Sequence, residues 1–343
     1  MSGKRTLRTG FAVMMLLCAV AGCTAGKKPA SKVGAARPAV FVTGSVALPS
    51  MPGGVAVDPE SHKIYVATPD DNAIRIIDPA TKAVVGTISS GTHPILLRID
   101  PQHRRLYSVN SAETNGDGGS IELIDLNTDQ ITATVPVGDL PMLAVDTESN
   151  VAYSISKKDF GLSVIDPERA TVTATAEIPH EDTSSLSAMT VDPSAHTLYV
   201  TDTIAHTVMS VDPQTGATTP IAEVGDQPAD VTVDPATHLL YTADFGMGQG
   251  AISVIDPGAH QKVGNIVVGY SPSSVVIDSA THFGYAINAD GTMSAVDLTS
   301  RTLAGTVHAG KALAAAAVDP ATHSVYVADV ADKTVLVVDQ TGH

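Results

Sequence analysis

The sequence predicts an all-β fold, a seven-bladed β-propeller of four-stranded antiparallel blades, with the ring closed by the N-terminal strand completing the last blade. Three observations predict it. An aspartate motif recurs at Asp58, Asp100, Asp146, Asp192, Asp234, Asp278 and Asp319, with spacings of 42, 46, 46, 42, 44 and 41 residues. Seven residues after each stands a tyrosine: Tyr65, Tyr107, Tyr153, Tyr199, Tyr241, Tyr285 and Tyr326. A second aspartate follows 19 to 25 residues after the first, at Asp78, Asp125, Asp166, Asp212, Asp256, Asp297 and Asp339. A period in this range marks a repeat architecture in which each unit buries its faces against its neighbours.

Within one repeat the order is "GVAVD", "PESH", "KIYVAT", "PDDN", "AIRIID", "PATK", "AVVGTIS". Short runs rich in Val, Ile, Tyr and Thr, broken by Asp-Pro and Gly, read as the strands of an antiparallel meander. No stretch keeps a 3.6-residue apolar period long enough for a helix. Four strands per repeat and seven repeats make a propeller.

The chain ends agree with a closed ring. The seventh repeat stops after its third strand, "TVLVVDQ", while "VFVTGSVALPS" precedes the first repeat. Gly44 lies 14 residues before Asp58, as Gly86, Gly264 and Gly305 lie 14 before their own aspartates. The N-terminal strand is therefore expected to supply the missing fourth strand and to remove a free sheet edge.

"KIYVATPDDNAIRIIDPATKAVVGTI" and "TLYVTDTIAHTVMSVDPQTGATTPI" resemble the YVTN-type β-propeller repeat of bacterial surface-layer and periplasmic proteins, over about residues 41–340. The resemblance implies ligands at one channel mouth and is poor for function, since the family includes surface, adhesive and periplasmic binding proteins. Related propellers carry haem or quinone, but this chain has no C-x-x-C-H and no tryptophan.

Residues 1–22 read as a targeting segment, with the basic "MSGKRTLRTG" followed by the apolar "FAVMMLLCAVAG". That run is shorter than the roughly 20 residues a membrane span needs. Val20-Ala21-Gly22-Cys23 resembles a bacterial lipobox, which implies cleavage before Cys23 and its lipidation. An ordinary secretory signal would also carry the chain out of the cytoplasm. Residues 23–40 read as a flexible tether and 41–343 as the propeller. The expected location is extracytoplasmic, anchored at the periplasmic face or the outer membrane. With Cys18 removed and Cys23 lipidated, the body has no thiol for a disulfide, a metal or catalysis.

From residue 41 onward there are 13 basic against 36 acidic residues. Such a surface repels phosphate backbones, so nucleic acid is not an expected partner. A monomer is expected.

The motif "VDPATH" places a histidine four residues after the aspartate, and His62, His196, His238, His282 and His323 share that position. The spacing suits half of a metal site or a catalytic pair. Equivalent positions of a propeller, however, lie around a ring, so a structural Asx turn with proline fixing φ is the expectation. The residues three after each tyrosine (Thr68, Asn110, Ser156, Asp202, Asp244, Asn288 and Asp329) are expected to cap the turns between second and third strands.

Functional candidates lie in the loops that vary between blades, those joining fourth to first and second to third strands. His93, Asp139, His180, Asp182, Asp226, Phe245 and Tyr270 are the candidate ligand-binding residues of this mouth, with Met247, His206 and His308 on the same face. Glu113, Asn115 and Asp117, in an insertion of blade two, carry oxygens at alternate positions that would suit Ca²⁺ but lack the full calcium-loop spacing. Calcium or another divalent metal is the cofactor class these residues would suit. The leading expectation is a non-enzymatic scaffold binding a protein, peptide or glycan. The alternatives are a metal-dependent, lactonase-like hydrolase or lyase at the same mouth, and a structural envelope protein without a small ligand. No G-x-S-x-G or G-x-x-x-x-G-K-[ST] pattern occurs.

Overall fold

The computed structural model describes residues 40–111, 118–180, 184–246 and 248–340. Cys23, Glu113, Asn115, Asp117, Asp182 and Met247 lie outside these residues. The described chain forms seven four-stranded antiparallel sheets. Blades 1 to 6 span 55–89, 94–137, 141–177, 186–223, 228–270 and 272–308. Blade 7 spans 313–340 and takes Val40–Ala47 as its fourth strand, antiparallel to Thr334–Gln340. The ring is closed as the sequence predicts. Among the described residues, the only helical element is a 3₁₀ turn at Pro69–Asp71.

The four strand positions differ in burial because of where the ring puts them. The second strand has a neighbouring blade on both faces and is continuously buried, as in Ile64–Thr68 and Val325–Asp329. Such strands read as unbroken apolar runs. The fourth strand lies at the rim and alternates, as in Thr171–Glu177, where every second residue is exposed. In every blade, moreover, this outer strand is bulged against the third, for example between Ile76 and Ile77 and between Val254 and Ile255. Gly44, Gly86, Gly264 and Gly305 flank the extra residue, which explains their fixed place in the repeat.

The core is divided into seven clusters, one at each junction between blades. Each contains one repeat tyrosine, contributed by the earlier blade of its pair: Tyr65 joins blades 1 and 2, and Tyr326 joins blades 7 and 1. All seven tyrosines are buried. Burial pushes the Tyr107 and Tyr326 hydroxyls up to about 12, so these rings are neutral wedges at any ordinary pH. Truncating one to alanine removes a contact of about 3–5 kcal/mol.

Candidate functional site

Two faces of the ring have different characters. On the face of the Asp-Pro turns, every repeat aspartate is buried and accepts the backbone N–H two residues on, from Glu60 to Asp58 at 3.2 Å through to Ala321 to Asp319 at 3.0 Å. This is the expected Asx turn. The residue four positions after the aspartate is left-handed in all seven repeats, with φ between 48° and 61°.

The histidine at that position does not meet its own aspartate. It meets that of the preceding blade. His62 Nδ1 stands 2.9 Å from Asp319, His196 2.7 Å from Asp146, His238 2.8 Å from Asp192 and His323 2.8 Å from Asp278. Arg104 grips Asp58 with both guanidinium nitrogens at 2.7 and 2.8 Å. Two junctions vary the device. Ser279 donates to Asp234 at 2.6 Å, and Arg105 of blade 2 spans to Asn150 and Glu168 of blade 3. In Asp146, Asp192, Asp278 and Asp319 one carboxylate oxygen thus shapes the turn and the other latches the next blade. Burial pushes the Asp58 carboxyl up, but Arg104, Ser61 and the Glu60 N–H outweigh it and hold it at about 2.

On the opposite face, the residues three after each tyrosine are all buried. Asp202 accepts the Ile204 and Ala205 N–H groups, and Asp329 accepts those of Ala331 and Lys311. Asp244 turns inward instead, accepting from Thr242, Ser253 and the Gly225 N–H. Its burial outweighs those bonds and raises its carboxyl, whereas in Asp329 four backbone N–H groups overcome burial and lower it. The loop glycines Gly91, Gly138, Gly225, Gly269 and Gly310 each lie over one of these side chains, where a Cβ would fall closer than 3.0 Å.

The candidate residues are spread around this mouth. His93 is left-handed at φ 58°, its N–H donating to Asn72 at 2.8 Å. Asp139 pairs with Lys158. His180 stacks on Phe160 with ring centroids 4.2 Å apart and donates from Nδ1 to the Ile178 carbonyl at 3.0 Å. Asp226 stands 3.5 Å from His206, whose Nδ1 accepts the Gln227 N–H. Phe245 is half-buried, and Tyr270 is 51% exposed. Among the described residues, no three His, Cys, Asp or Glu side chains converge to hold a metal ion. A surface cavity of about 510 Å³ lies between His180, Ile204 and Met209.

A larger cavity, about 750 Å³, fills the central channel and is lined by the first strand of every blade. Its charged lining groups are Arg98, Lys157 and Asp230. The sequence reading missed these three. The available signal was a charge in "ILLRID" and "PADVTV", innermost strands whose other copies carry mostly apolar or small residues there.

No family model matches the chain, and no curated protein matches it. Among solved structures the chain is similar to the hydrazine synthase of Kuenenia stuttgartiensis, with a TM-score of 0.72 and 16% identity over 87% of this chain and 98% of that one. At this identity the likeness shows the propeller fold alone.

Proposed function

We propose that the protein is a YVTN-type, lipid-anchored scaffold outside the cytoplasm that binds a protein partner through the loops of the channel mouth. The observation that supports this is an asymmetry of apolar exposure. Met51, Leu140, Ile204 and Tyr270 are the exposed large hydrophobic residues found in or at the ends of loops among the described residues, and all four lie on the mouth face. The other exposed large hydrophobics, Phe41, Val42, Val84, Val85 and Val267, belong to outer strands. Exposed apolar groups rimmed by polar ones mark interaction surfaces.

Leu140 strengthens the reading. In the loops ending at Pro94, Pro141, Pro228 and Pro272, the residue before proline is left-handed, and the other three are His93, Gln227 and Ser271. A bulky Leu held there costs on the order of 1–2 kcal/mol and still leaves 45% of its surface exposed. Contact with a partner would bury the remainder. The acidic body favours a partner with basic residues around its apolar contacts. Anchoring through Cys23 would hold the protein at the envelope.

The test is site-specific photo-crosslinking in cells at positions 140, 204 and 270, with position 80 on the opposite face as control. A partner captured from the mouth positions, absent at position 80 and lost in Ile204→Asp, supports the reading. Equal labelling from both faces removes it, and capture of polysaccharide instead identifies a glycan ligand. Cys23→Ser should release the protein from the membrane fraction; retention would remove the lipid anchor.

A further inference from the structure

The central channel holds a charge arrangement that the scaffold does not require. Arg98 lies in the innermost strand Pro94–Asp100, two residues before the repeat aspartate. The equivalent positions are Ala56, Ala144, Thr190, Thr232, Val276 and Ala317, all short, and all seven line the channel. The small side chains leave room for the guanidinium in one layer of the wall, and the two threonines bring hydroxyls to that same layer.

The guanidinium donates one hydrogen bond, from Nη1 to the Leu97 carbonyl at 3.2 Å. Among the described residues its remaining N–H groups meet no protein acceptor, and the Thr190 and Thr232 hydroxyls make no protein hydrogen bond. The nearby carboxylate is already occupied. Asp230 accepts the Val231 N–H at 2.9 Å, the Ser274 hydroxyl at 2.7 Å and the Val275 N–H at 3.1 Å, and it forms no ion pair with either channel cation. Lys157 stands at the mouth, its ammonium donating to the Ser187 carbonyl at 2.7 Å. Enclosure pushes both cations down from their ordinary values, only partly offset by Asp230. Arg98 keeps a partly accessible surface despite that enclosure, because the space in front of it is the channel lumen.

An enclosed cation without a partner is costly, and a guanidinium offers a planar fork that matches two oxygens of one anion. The channel volume of about 750 Å³ is that of a small-molecule site. Its lining has no aromatic ring, so nothing there would stack on a base or an aryl group.

We propose that the channel is a binding site for a small oxoanion, a carboxylate or phosphate group seated on Arg98 with Thr190 and Thr232, and admitted past Lys157. The site lies inside the ring, on the innermost strands, whereas the proposed partner surface lies on the loops around its entrance.

Titration calorimetry of the full chain with inorganic phosphate and with succinate, at matched ionic strength and against chloride, tests this. Saturable binding of either oxoanion is expected. Arg98→Gln should weaken it at least about tenfold, and the Thr190→Val/Thr232→Val double variant about threefold. Lys157→Met should slow association more than it speeds release. A preference for phosphate or for succinate identifies the group that the natural ligand carries. Arg98→Lys retains the charge and loses the fork, and it carries the same expectation should Arg98→Gln fail to fold. The proposal is overturned if the parent binds neither oxoanion more than chloride, or if folded Arg98 variants bind as the parent does. Ile204→Asp, which lies outside the channel lining, should leave anion binding unchanged, so failure of the rim reading and failure of the channel site are separate results.

Discussion

His62 of the first blade stands 2.9 Å from Asp319 of the last, across 257 residues of sequence. The same contact, repeated between neighbours, makes the Asp-Pro face a ring of latches, and this one lies across the closure. Its aspartate is fully buried while the histidine is 39% exposed. The two partners should therefore be unequal. His62→Ala leaves a carboxylate still bonded to the Ala321 N–H and the Thr322 hydroxyl, and should cost about 1 kcal/mol. Asp319→Ala strips both the turn and the latch and should cost about 2–3 kcal/mol. Urea unfolding of both variants and the double variant gives the coupling directly; a coupling near zero would mean the latch adds nothing to closure.

The acid limb of stability should report Arg104 and Asp58. The folded Asp58 carboxyl is held at about 2, below the ordinary 3.8. A depressed carboxyl stabilises the fold above its unfolded value and loses that contribution as the pH falls through the folded one. The window is therefore pH 4 down to 2, with about 2 kcal/mol at stake. Arg104→Met should flatten stability across that window and lower it above pH 4. An unchanged pH slope in the variant would show that Arg104 does not set the Asp58 titration.

The latch between blades 3 and 4 should respond with both signs. Asp146 raises the His196 imidazolium above its ordinary value, so that contribution is complete below about pH 6.5 and is lost as the pH rises through the raised folded value. Asp146 is itself lowered: its burial acts upward, and the bonds from Ser149 and His196 outweigh it, so its contribution fades in acid. The imidazole chemical shifts of His196 followed by NMR should titrate above those of an unstructured histidine, and Asp146→Asn should bring them back. His196→Ala should remove the alkaline loss of stability at this junction.

Gly225 illustrates why the mouth loops keep glycine while the rest of their sequence varies. A Cβ there would collide with the Asp244 carboxylate, which also accepts the Gly225 N–H at 3.1 Å. Gly225→Ala should cost about 1–3 kcal/mol, because the carboxylate is buried and cannot swing out. Gly258 is the control, since its nearest atom to a Cβ would be Asp256 Oδ1 at 3.4 Å, an ordinary contact. Equal Tm losses for Gly225→Ala and Gly258→Ala would contradict this account.

The fold was legible because its determinants are local and repeated. The repeat aspartate, the tyrosine seven residues on and, in four blades, the glycine beside the outer-strand bulge recur in register. The Asx turns followed from the motif itself. The latches did not, because each joins residues about 40 or more apart in sequence and the pattern shows only the position four after the aspartate. Arg98 and Asp230 were harder still. They are single departures from the repeat, and their meaning depends on knowing that seven innermost strands face one another across a lumen. His93, Asp139, His180, Asp226, Phe245 and Tyr270 lie on the mouth face, but each finds a separate local setting there.

Ring closure rests on one strand, and it can be opened there. Val46 is 4% exposed in the cluster between blades 7 and 1, packed with Val55, Tyr326 and Val335, and its strand caps Thr334–Gln340. Val46→Asp places an unpaired carboxylate in that cluster, at a cost of about 3–5 kcal/mol, and loosens the strand from its partner. The uncovered edge of Thr334–Gln340 then offers unpaired backbone groups to another chain. Two readouts should therefore move together: a lower urea midpoint, and concentration-dependent association in size-exclusion chromatography. Val85→Asp, 57% exposed in the outer strand of blade 1, should move neither. Destabilisation without association in Val46→Asp would show that the strand contributes packing alone, and that the edge it covers is protected by other means.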